Sequence, residues 1–240
     1  MRLRHSPAHS ARTVVLPGAI AAAAAVTLAA CGGDAQEQSD DPNSEAAAQL
    51  HDAQPLNVQD ATLLPESSEA GTYSELVTVE YSEEVRATTE LDKPECVDAA
   101  NHWGDLDAVQ DAPASVAAYE WEEGAVSHIL VELDEDSAAE ALATEPPETC
   151  SEYTATYEDG SSSDYGVADL DVPQVGDESR AFTIQVSDDD GENDMYTVMY
   201  RNGGMLGTTS VMGLGEAEDY TDMLVEFSEA AIERQGQMLD

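Results

Sequence analysis

Basic residues are scarce in this chain. It has 8 Lys and Arg residues against 51 Asp and Glu residues, which gives a formal charge of −43 at pH 7. A protein that binds nucleic acid needs a basic surface to neutralise the phosphates. The charge balance therefore argues against a nucleic-acid-binding protein.

The sequence also lacks an apolar run of the length that a membrane-spanning helix needs, about twenty residues. Its amino-terminal apolar segment, residues 14–28, is shorter, rich in alanine, and preceded by a basic stretch. A basic stretch followed by such a segment is typical of a secretory signal peptide. The sequence therefore predicts export, with residues 1–30 as the signal peptide.

The signal peptide ends in Leu28-Ala29-Ala30-Cys31-Gly32. This order resembles the lipobox of bacterial lipoproteins, in which a cysteine thiol receives diacylglycerol before cleavage ahead of it. The resemblance implies a mature chain that begins at Cys31 and is held to the cell membrane by lipid groups such as diacylglycerol and palmitate. The alternative is an ordinary signal peptide with an incidental cysteine.

Removal of the signal peptide makes the chain more acidic. Three of the eight basic residues and none of the 51 acidic residues lie in residues 1–30, so the mature chain has five bases and a net charge of −46. Such charges repel one another, and salt relieves the repulsion because the Debye length falls to about 3 Å in molar salt. We interpret the acidity as adaptation to saline surroundings and not as a binding site.

Cysteine is scarce as well, and Cys31 is assigned to lipid. The other two, Cys96 and Cys150, form an even pair in an exported chain, where thiols are not kept reduced. The sequence therefore predicts a disulfide between them, which stabilises the fold by about 4 kcal/mol in the chain-entropy model. Neither cysteine has a second cysteine at CxxC spacing, so we expect no metal site there.

The mature chain divides into a tether and one domain. Residues 31–55 contain the lipidated cysteine, six acids and mostly small or polar residues, a composition that cannot offset its ordering entropy. We therefore expect a disordered acidic tether over residues 31–55 and an extracellular domain over residues 56–240.

The apolar pattern of the domain predicts an α+β fold, a single antiparallel sheet of about six to eight strands packed by two or three helices. Strands are predicted at residues 75–81, 115–121, 125–133, 153–157, 165–172, 180–187, 195–201 and 205–212. Helices are predicted at residues 92–103, 138–143 and 216–234.

Four segments of the domain resemble one family. Residues 93–100 place Cys96 just after a proline, residues 138–150 place Cys150 after a short alanine-rich helix, and the segments 175–178 (VGDE) and 200–203 (YRNG) precede the final helix. Together with the lipoprotein leader, this order resembles the extracellular sensor-type domain of PknH-like mycobacterial kinases and related actinobacterial lipoproteins. The kinase domains carry further cysteines. The resemblance implies a ligand-sensing or binding module with no catalytic residues.

Aromatic side chains are the candidate ligand-binding residues. The set that could line a cleft beside the sheet is Trp103, Trp121, Tyr119, Tyr153, Tyr157, Tyr165 and Tyr196. We select Trp103, Trp121 and Tyr119 as the binding residues. The alternative is that such aromatics are core and cross-strand partners.

Catalytic and metal-binding patterns are weak. There is no GxSxG motif, and the mature chain has three isolated histidines, His51, His102 and His128, so we expect no enzyme. The acidic segment 188–194 does not match the ligand spacing of an EF-hand, and we interpret it as a hairpin turn. We predict no metal and no cofactor.

The sequence thus predicts a non-enzymatic lipoprotein on the extracytoplasmic face of the cell membrane, whose sensor-like domain binds an unidentified ligand or partner of the cell envelope. An envelope hydrolase with an unidentified site and a structural or assembly lipoprotein are the alternatives. A cleft lined by aromatics and a few polar groups favours ligand binding, whereas an exposed apolar patch favours protein contacts.

Overall fold

The computed structural model describes residues 42–97, 99–122, 124–189, 191–213 and 217–239. The predicted signal peptide, Cys31 and the first part of the tether lie outside the described residues.

Ten strands form one antiparallel sheet in the described part of the chain. They are β1 (Asn57–Val58), β2 (Ala61–Thr72), β3 (Glu90–Leu91), β4 (Pro113–Trp121), β5 (Gly124–Glu132), β6 (Glu152–Thr156), β7 (Ser162–Asp169), β8 (Glu178–Asp188), β9 (Gly191–Asn202) and β10 (Met205–Gly213). Their order across the sheet is β1-β2-β4-β5-β10-β9-β8-β7-β6-β3.

Helices cover both faces of this sheet. The α-helices are α1 (Ser44–Asp52), α2 (Val77–Thr88), α3 (Asp107–Gln110), α4 (Glu135–Ala143) and α5 (Ala217–Met238). Short 3-10 turns lie at Tyr73–Glu75, Pro94–Cys96, His102–Asp105 and Glu148–Ser151. No helix within the described ranges is long and apolar enough to cross a membrane.

Side chains alternate between the two faces along the central strands, and each face has its own core. On the first face, Val116, Ile184 and Met199 pack with residues from α2, α3 and α4. On the second face, Tyr119 and Val198 pack with residues of α5, and α1 lies against β2 and β4. The central strands of the sheet therefore lie between two helical layers.

The predicted strand and helix numbers are wrong, although the α+β class holds. The described ranges alone contain ten strands and five helices, in place of the predicted six to eight strands and two or three helices. The missed strands β1 and β3 have two residues each, too few for a periodic pattern. Strand β2 contains Pro65 and changes register between Leu64 and Glu69, so its side chains do not alternate regularly.

Residues 75–81 form no strand, which corrects a second prediction. The alternation of Val77, Val79 and Tyr81 indicated a strand, but these residues belong to α2. The carboxylate of Glu69 accepts hydrogen bonds from the backbone N–H groups of Val77 and Thr78 at 2.7 and 2.8 Å. A side chain of β2 thus provides hydrogen-bond acceptors for two backbone N–H groups in the first turn of the helix. The periodicity of the local sequence could not reveal this contact.

The predicted tether is wrong for residues 44–52, which form α1. Ala47 and Leu50 of this helix are almost fully buried. Its alanine-rich sequence favours a helix. Packing on the sheet buries Ala47 and Leu50, and the local composition alone does not predict this burial.

The predicted helix over residues 92–103 is also wrong. Residues 94–96 and 102–105 form separate 3-10 turns, and Val97 between them has a non-helical backbone (φ −55°, ψ 125°). The disulfide between Cys96 and Cys150 is confirmed, with the Cα atoms 5.3 Å apart. It joins the first turn to the turn that precedes β6.

Two of the four segments that carry the family resemblance, residues 175–178 and 200–203, contact each other. The backbone N–H of Asp177 donates to the carbonyl of Arg201 at 2.9 Å, and Arg201 Nε donates to the Glu178 carboxylate at 2.7 Å. Gly176 has φ +63°, and a Cβ atom there would collide with the Arg201 carbonyl. The two segments therefore fix the start of β8 against the end of β9.

Candidate functional site

A cavity of about 470 Å³ lies on the first face of the sheet, beneath residues 85–97 and 99–101. Small-molecule sites in proteins usually have volumes of about 300–1,000 Å³. The cavity therefore has the size of a ligand site.

Two rows of cross-strand neighbours form the floor of this cavity. The first row consists of Tyr153, Tyr165, Val186 and Asn193. The second row consists of Ile184, Met195, Met212 and Ala125. Within each row the residues are direct partners on adjacent strands, so their side chains stand side by side on one face. The floor runs from β6 to β5 and is mainly apolar.

We call residues 85–97 and 99–101 the roof segment. The residues that line the cavity are Val85 and Arg86 of α2, Thr89 directly after α2, Leu91, Cys96, Val97 and residues 99–101. The Cys96–Cys150 disulfide ties this segment to the edge of the sheet.

Further bonds hold the roof segment near that disulfide. Lys93 Nζ donates to the carbonyl oxygens of Thr149, at 2.9 Å, and Glu152. Asp92 Oδ1 accepts from the backbone N–H of Thr154 at 2.8 Å, and β3 pairs with β6. The roof segment is thus fixed at its middle by covalent and polar bonds to one sheet edge.

Three tyrosines form the aromatic end of the cavity. The rings of Tyr153 and Tyr165 stack with centroids 4.9 Å apart and planes 3° from parallel. The hydroxyls of Tyr157 and Tyr165 share a hydrogen bond of 2.7 Å. Burial, the hydrogen bond with Tyr157 and the nearby acidic groups raise the pKa of Tyr165. This hydroxyl is therefore neutral at physiological pH.

Charged groups are few among the described residues that line the cavity, namely Arg86 and Asp194. The Arg86 guanidinium lies 3.7 Å from the carboxylate of Asp105. The Asp194 carboxylate accepts hydrogen bonds from Tyr196 Oη at 3.4 Å and from Gln185 Nε2 at 3.3 Å. Both charges already have partners within the protein.

The three aromatics selected from the sequence do not line this cavity. Trp103 is buried against Tyr73, and Tyr119 packs edge-on against Phe227 with ring centroids 4.8 Å apart. Trp121 packs edge-on against Tyr220. These contacts match the alternative that they are core and cross-strand partners.

Of the larger aromatic set, Tyr153, Tyr157 and Tyr165 line the cavity. Tyr196 packs instead in the core of the second face. Strand register could have distinguished the cavity tyrosines from Tyr196. Tyr153 and Tyr165 are direct partners on β6 and β7, so their side chains lie on the same face of the sheet. The methionines of the floor, Met195 and Met212, carried no sequence signal for a site.

The three histidines of the mature chain lie elsewhere, and none is among the residues that line the cavity. His128 is fully buried on the second face. His102 Nδ1 lies 3.8 Å from the Asp105 carboxylate, and His51 Nδ1 lies 3.5 Å from Ser115 Oγ.

The acidic segment 188–194 contains the turn between β8 and β9. Asp188 pairs with Gly191 at the end of the hairpin, and its carboxylate accepts from the Gly191 N–H at 3.2 Å. Within the described ranges no group of three or more His, Cys, Asp or Glu side chains is placed to hold a metal ion.

No protein-family model and no curated protein sequence matches this chain. Its fold is similar to the extracellular domain of PknH from Mycobacterium tuberculosis, with a TM-score of 0.50, 10% identity, and coverage of 79% of this chain and 91% of that domain. An uncharacterized protein from Mycobacterium smegmatis matches with a TM-score of 0.46, 12% identity, and coverage of 78% and 94%. The predicted resemblance to the PknH extracellular domain is thus confirmed for the fold.

Proposed function

We propose that this chain is a lipid-anchored extracytoplasmic protein whose domain binds a small molecule between the sheet and the roof segment. The observation that carries the proposal is the cavity itself. It combines an apolar floor, stacked tyrosines and a few polar groups beneath a segment held by a disulfide, which is the usual composition of a ligand site.

Three features support a location outside the cytoplasm. The leader resembles that of a lipoprotein, with Cys31 at the cleavage point. The domain contains a buried disulfide, Cys96–Cys150, a bond typical of exported proteins. The PknH domain, which has a similar fold, is an extracellular domain.

Binding without catalysis is the function that the lining favours. A nucleophile paired with a histidine base would indicate hydrolysis, and the described lining residues include no histidine. A domain that acts through protein contacts alone would not need an apolar cavity roofed by a cross-linked segment.

The anchor is tested by the substitution Cys31→Ser in the full chain, followed by membrane fractionation. The proposal predicts that the variant leaves the membrane fraction, because the thiol that accepts the lipid is gone. The variant Gln36→Ser, outside the lipobox, serves as the control and should stay with the membranes. A Cys31→Ser protein that still sediments with membranes contradicts the anchor.

The ligand is tested by native mass spectrometry of the protein purified from a producing strain. We expect a bound small molecule in the wild type that Val186→Trp lacks, because the indole fills the middle of the cavity floor. Ala168→Trp places the same side chain at an exposed position of β7, on the opposite face from Tyr165, and should retain the molecule. An adduct that survives in Val186→Trp contradicts the assignment of the cavity.

A further inference from the structure

We infer that the ligand of this cavity is an uncharged, largely apolar molecule with a hydrogen-bonding group at one end. The inference rests on the proposed function and adds the chemical class of the ligand. It follows from the composition of the floor, from the pairing of the charged lining groups and from the charge of the whole chain.

The floor offers apolar contact over most of its length. Ile184, Met195, Met212 and Ala125 form one continuous row over four adjacent strands, and Val186 joins the tyrosines in the other. Methionine side chains are flexible and polarisable, so they adapt to irregular apolar shapes and to aromatic rings. Burial of apolar ligand surface on this floor is favourable.

A charged ligand group would find no uncommitted charge of opposite sign in the described lining. The Arg86 guanidinium lies beside the Asp105 carboxylate, and Asp194 accepts two hydrogen bonds. A charged group that leaves water without a partner loses its hydration and gains nothing in return.

The net negative charge of the whole chain also disfavours the binding of anions. With 51 acids in the full sequence and a net charge of −43, the protein repels negatively charged molecules over distances up to the Debye length. An anionic ligand is therefore disfavoured both at long range and at contact.

The aromatic end of the cavity offers a polar feature to the ligand, the hydroxyl pair of Tyr157 and Tyr165. Two hydroxyls joined by one hydrogen bond of 2.7 Å use one of their two protons between them. The second proton can be donated to a ligand oxygen. A hydroxyl, ether or carbonyl oxygen at one end of the ligand fits this position.

The test compares two fluorescent probes that share one aromatic framework. N-phenyl-1-naphthylamine is uncharged, and 8-anilinonaphthalene-1-sulfonate carries an added sulfonate. We expect the uncharged probe to bind the purified full-chain protein at least about tenfold more tightly, both in dilute buffer and in molar NaCl. The difference should persist in molar NaCl because salt removes the long-range repulsion but not the missing partner for the sulfonate.

Variants assign the binding to the cavity. Val186→Trp should weaken binding of the uncharged probe by about tenfold or more, and Ala168→Trp should leave it unchanged. Ala125→Phe fills the other end of the floor and serves as the second blocking variant if Val186→Trp does not fold, as judged by circular dichroism.

Two results overturn the inference in distinguishable ways. If the sulfonated probe binds as tightly as the uncharged probe in molar NaCl and the blocking variants abolish both, the cavity is a ligand site but the chemical class is wrong. If the uncharged probe binds folded blocking variants as tightly as the wild type, the cavity is not the site and the proposed function fails as well.

Discussion

His128 is the centre of a buried hydrogen-bonded chain on the face of the sheet opposite the cavity. Its Nδ1 lies 2.6 Å from Gln54 Oε1, and its Nε2 lies 2.9 Å from the Tyr200 hydroxyl. Gln235 Nε2 donates to that hydroxyl at 3.1 Å. These hydrogen bonds are mutually consistent when His128 is neutral. Tyr200 then donates to Nε2 of His128, and Nδ1 of His128 donates to Gln54. The chain of bonds joins the end of α1, strands β5 and β9, and α5.

This arrangement makes stability depend on pH. Burial lowers the pKa of His128 to about 3, whereas an exposed histidine has a pKa of about 6.5. As the pH falls below about 6.5, His128 therefore becomes protonated in the unfolded chain but stays neutral in the folded chain. The free energy of unfolding decreases over this range, until the folded state is protonated near pH 3.

We predict that His128→Gln removes this dependence. Between pH 7 and pH 5 the histidine should account for a loss of about 2 kcal/mol in the free energy of unfolding. Urea unfolding in molar NaCl, where the carboxylates are screened, measures the difference for both proteins. A variant that loses as much stability as the wild type over this interval contradicts the account of His128.

The sequence could identify the residue types of the site but not their places. Tyr153, Tyr157 and Tyr165 were in the candidate set, as were the buried Trp103 and Tyr119. All five are aromatics next to or within predicted strands and helices. Which of them meets the cavity depends on strand register and on where the roof segment lies, and neither follows from the local pattern.

At the scale of elements, the roof segment depends on the Cys96–Cys150 disulfide. The two residues are separated by 54 positions, and such a loop restricts the unfolded chain by about 4 kcal/mol in the chain-entropy model. The same bond fixes the middle of the roof above the floor. Its loss should therefore affect both stability and ligand binding.

We predict that the double variant Cys96→Ala/Cys150→Ala loses about 4 kcal/mol in free energy of unfolding and binds N-phenyl-1-naphthylamine at least about tenfold more weakly. Chemical unfolding and fluorescence titration measure the two effects. The single-site variant Ala168→Trp, which leaves the disulfide in place, is the reference for the titration. A folded double variant with wild-type probe affinity would show that the disulfide does not position the roof.

The periodic spacing of apolar residues correctly predicted those strands and helices in which the local sequence alone shows which side is buried. The β4–β5 hairpin, the strands β6 to β10, α4 and α5 were all predicted within a few residues. Helix α2 was missed because its first turn is capped by Glu69 from β2. Helix α1 was missed because its burial depends on the sheet, which forms from residues far along the chain.

At the scale of the whole molecule, the acidity sets the response to salt. The chain carries 51 acids and 8 bases, and the described ion pairs involve few of the acids. Repulsion among the remaining carboxylates destabilises the compact state, and salt screens it.

We predict that the melting temperature rises between dilute buffer and molar NaCl at neutral pH. Differential scanning calorimetry measures the change, and sucrose of equal osmolality is the control for exclusion of solutes from the surface. An unchanged or lower melting temperature in NaCl contradicts the interpretation of the acidity as adaptation to saline surroundings.

The central claim is that the space between the roof segment and the sheet is a binding site for an uncharged apolar molecule. A crystal structure of the protein with N-phenyl-1-naphthylamine tests it most directly. We expect density for the probe rings between Val97 of the roof and Ile184 and Met195 of the floor. A probe bound elsewhere on the protein, with the cavity closed by its own side chains, would contradict it.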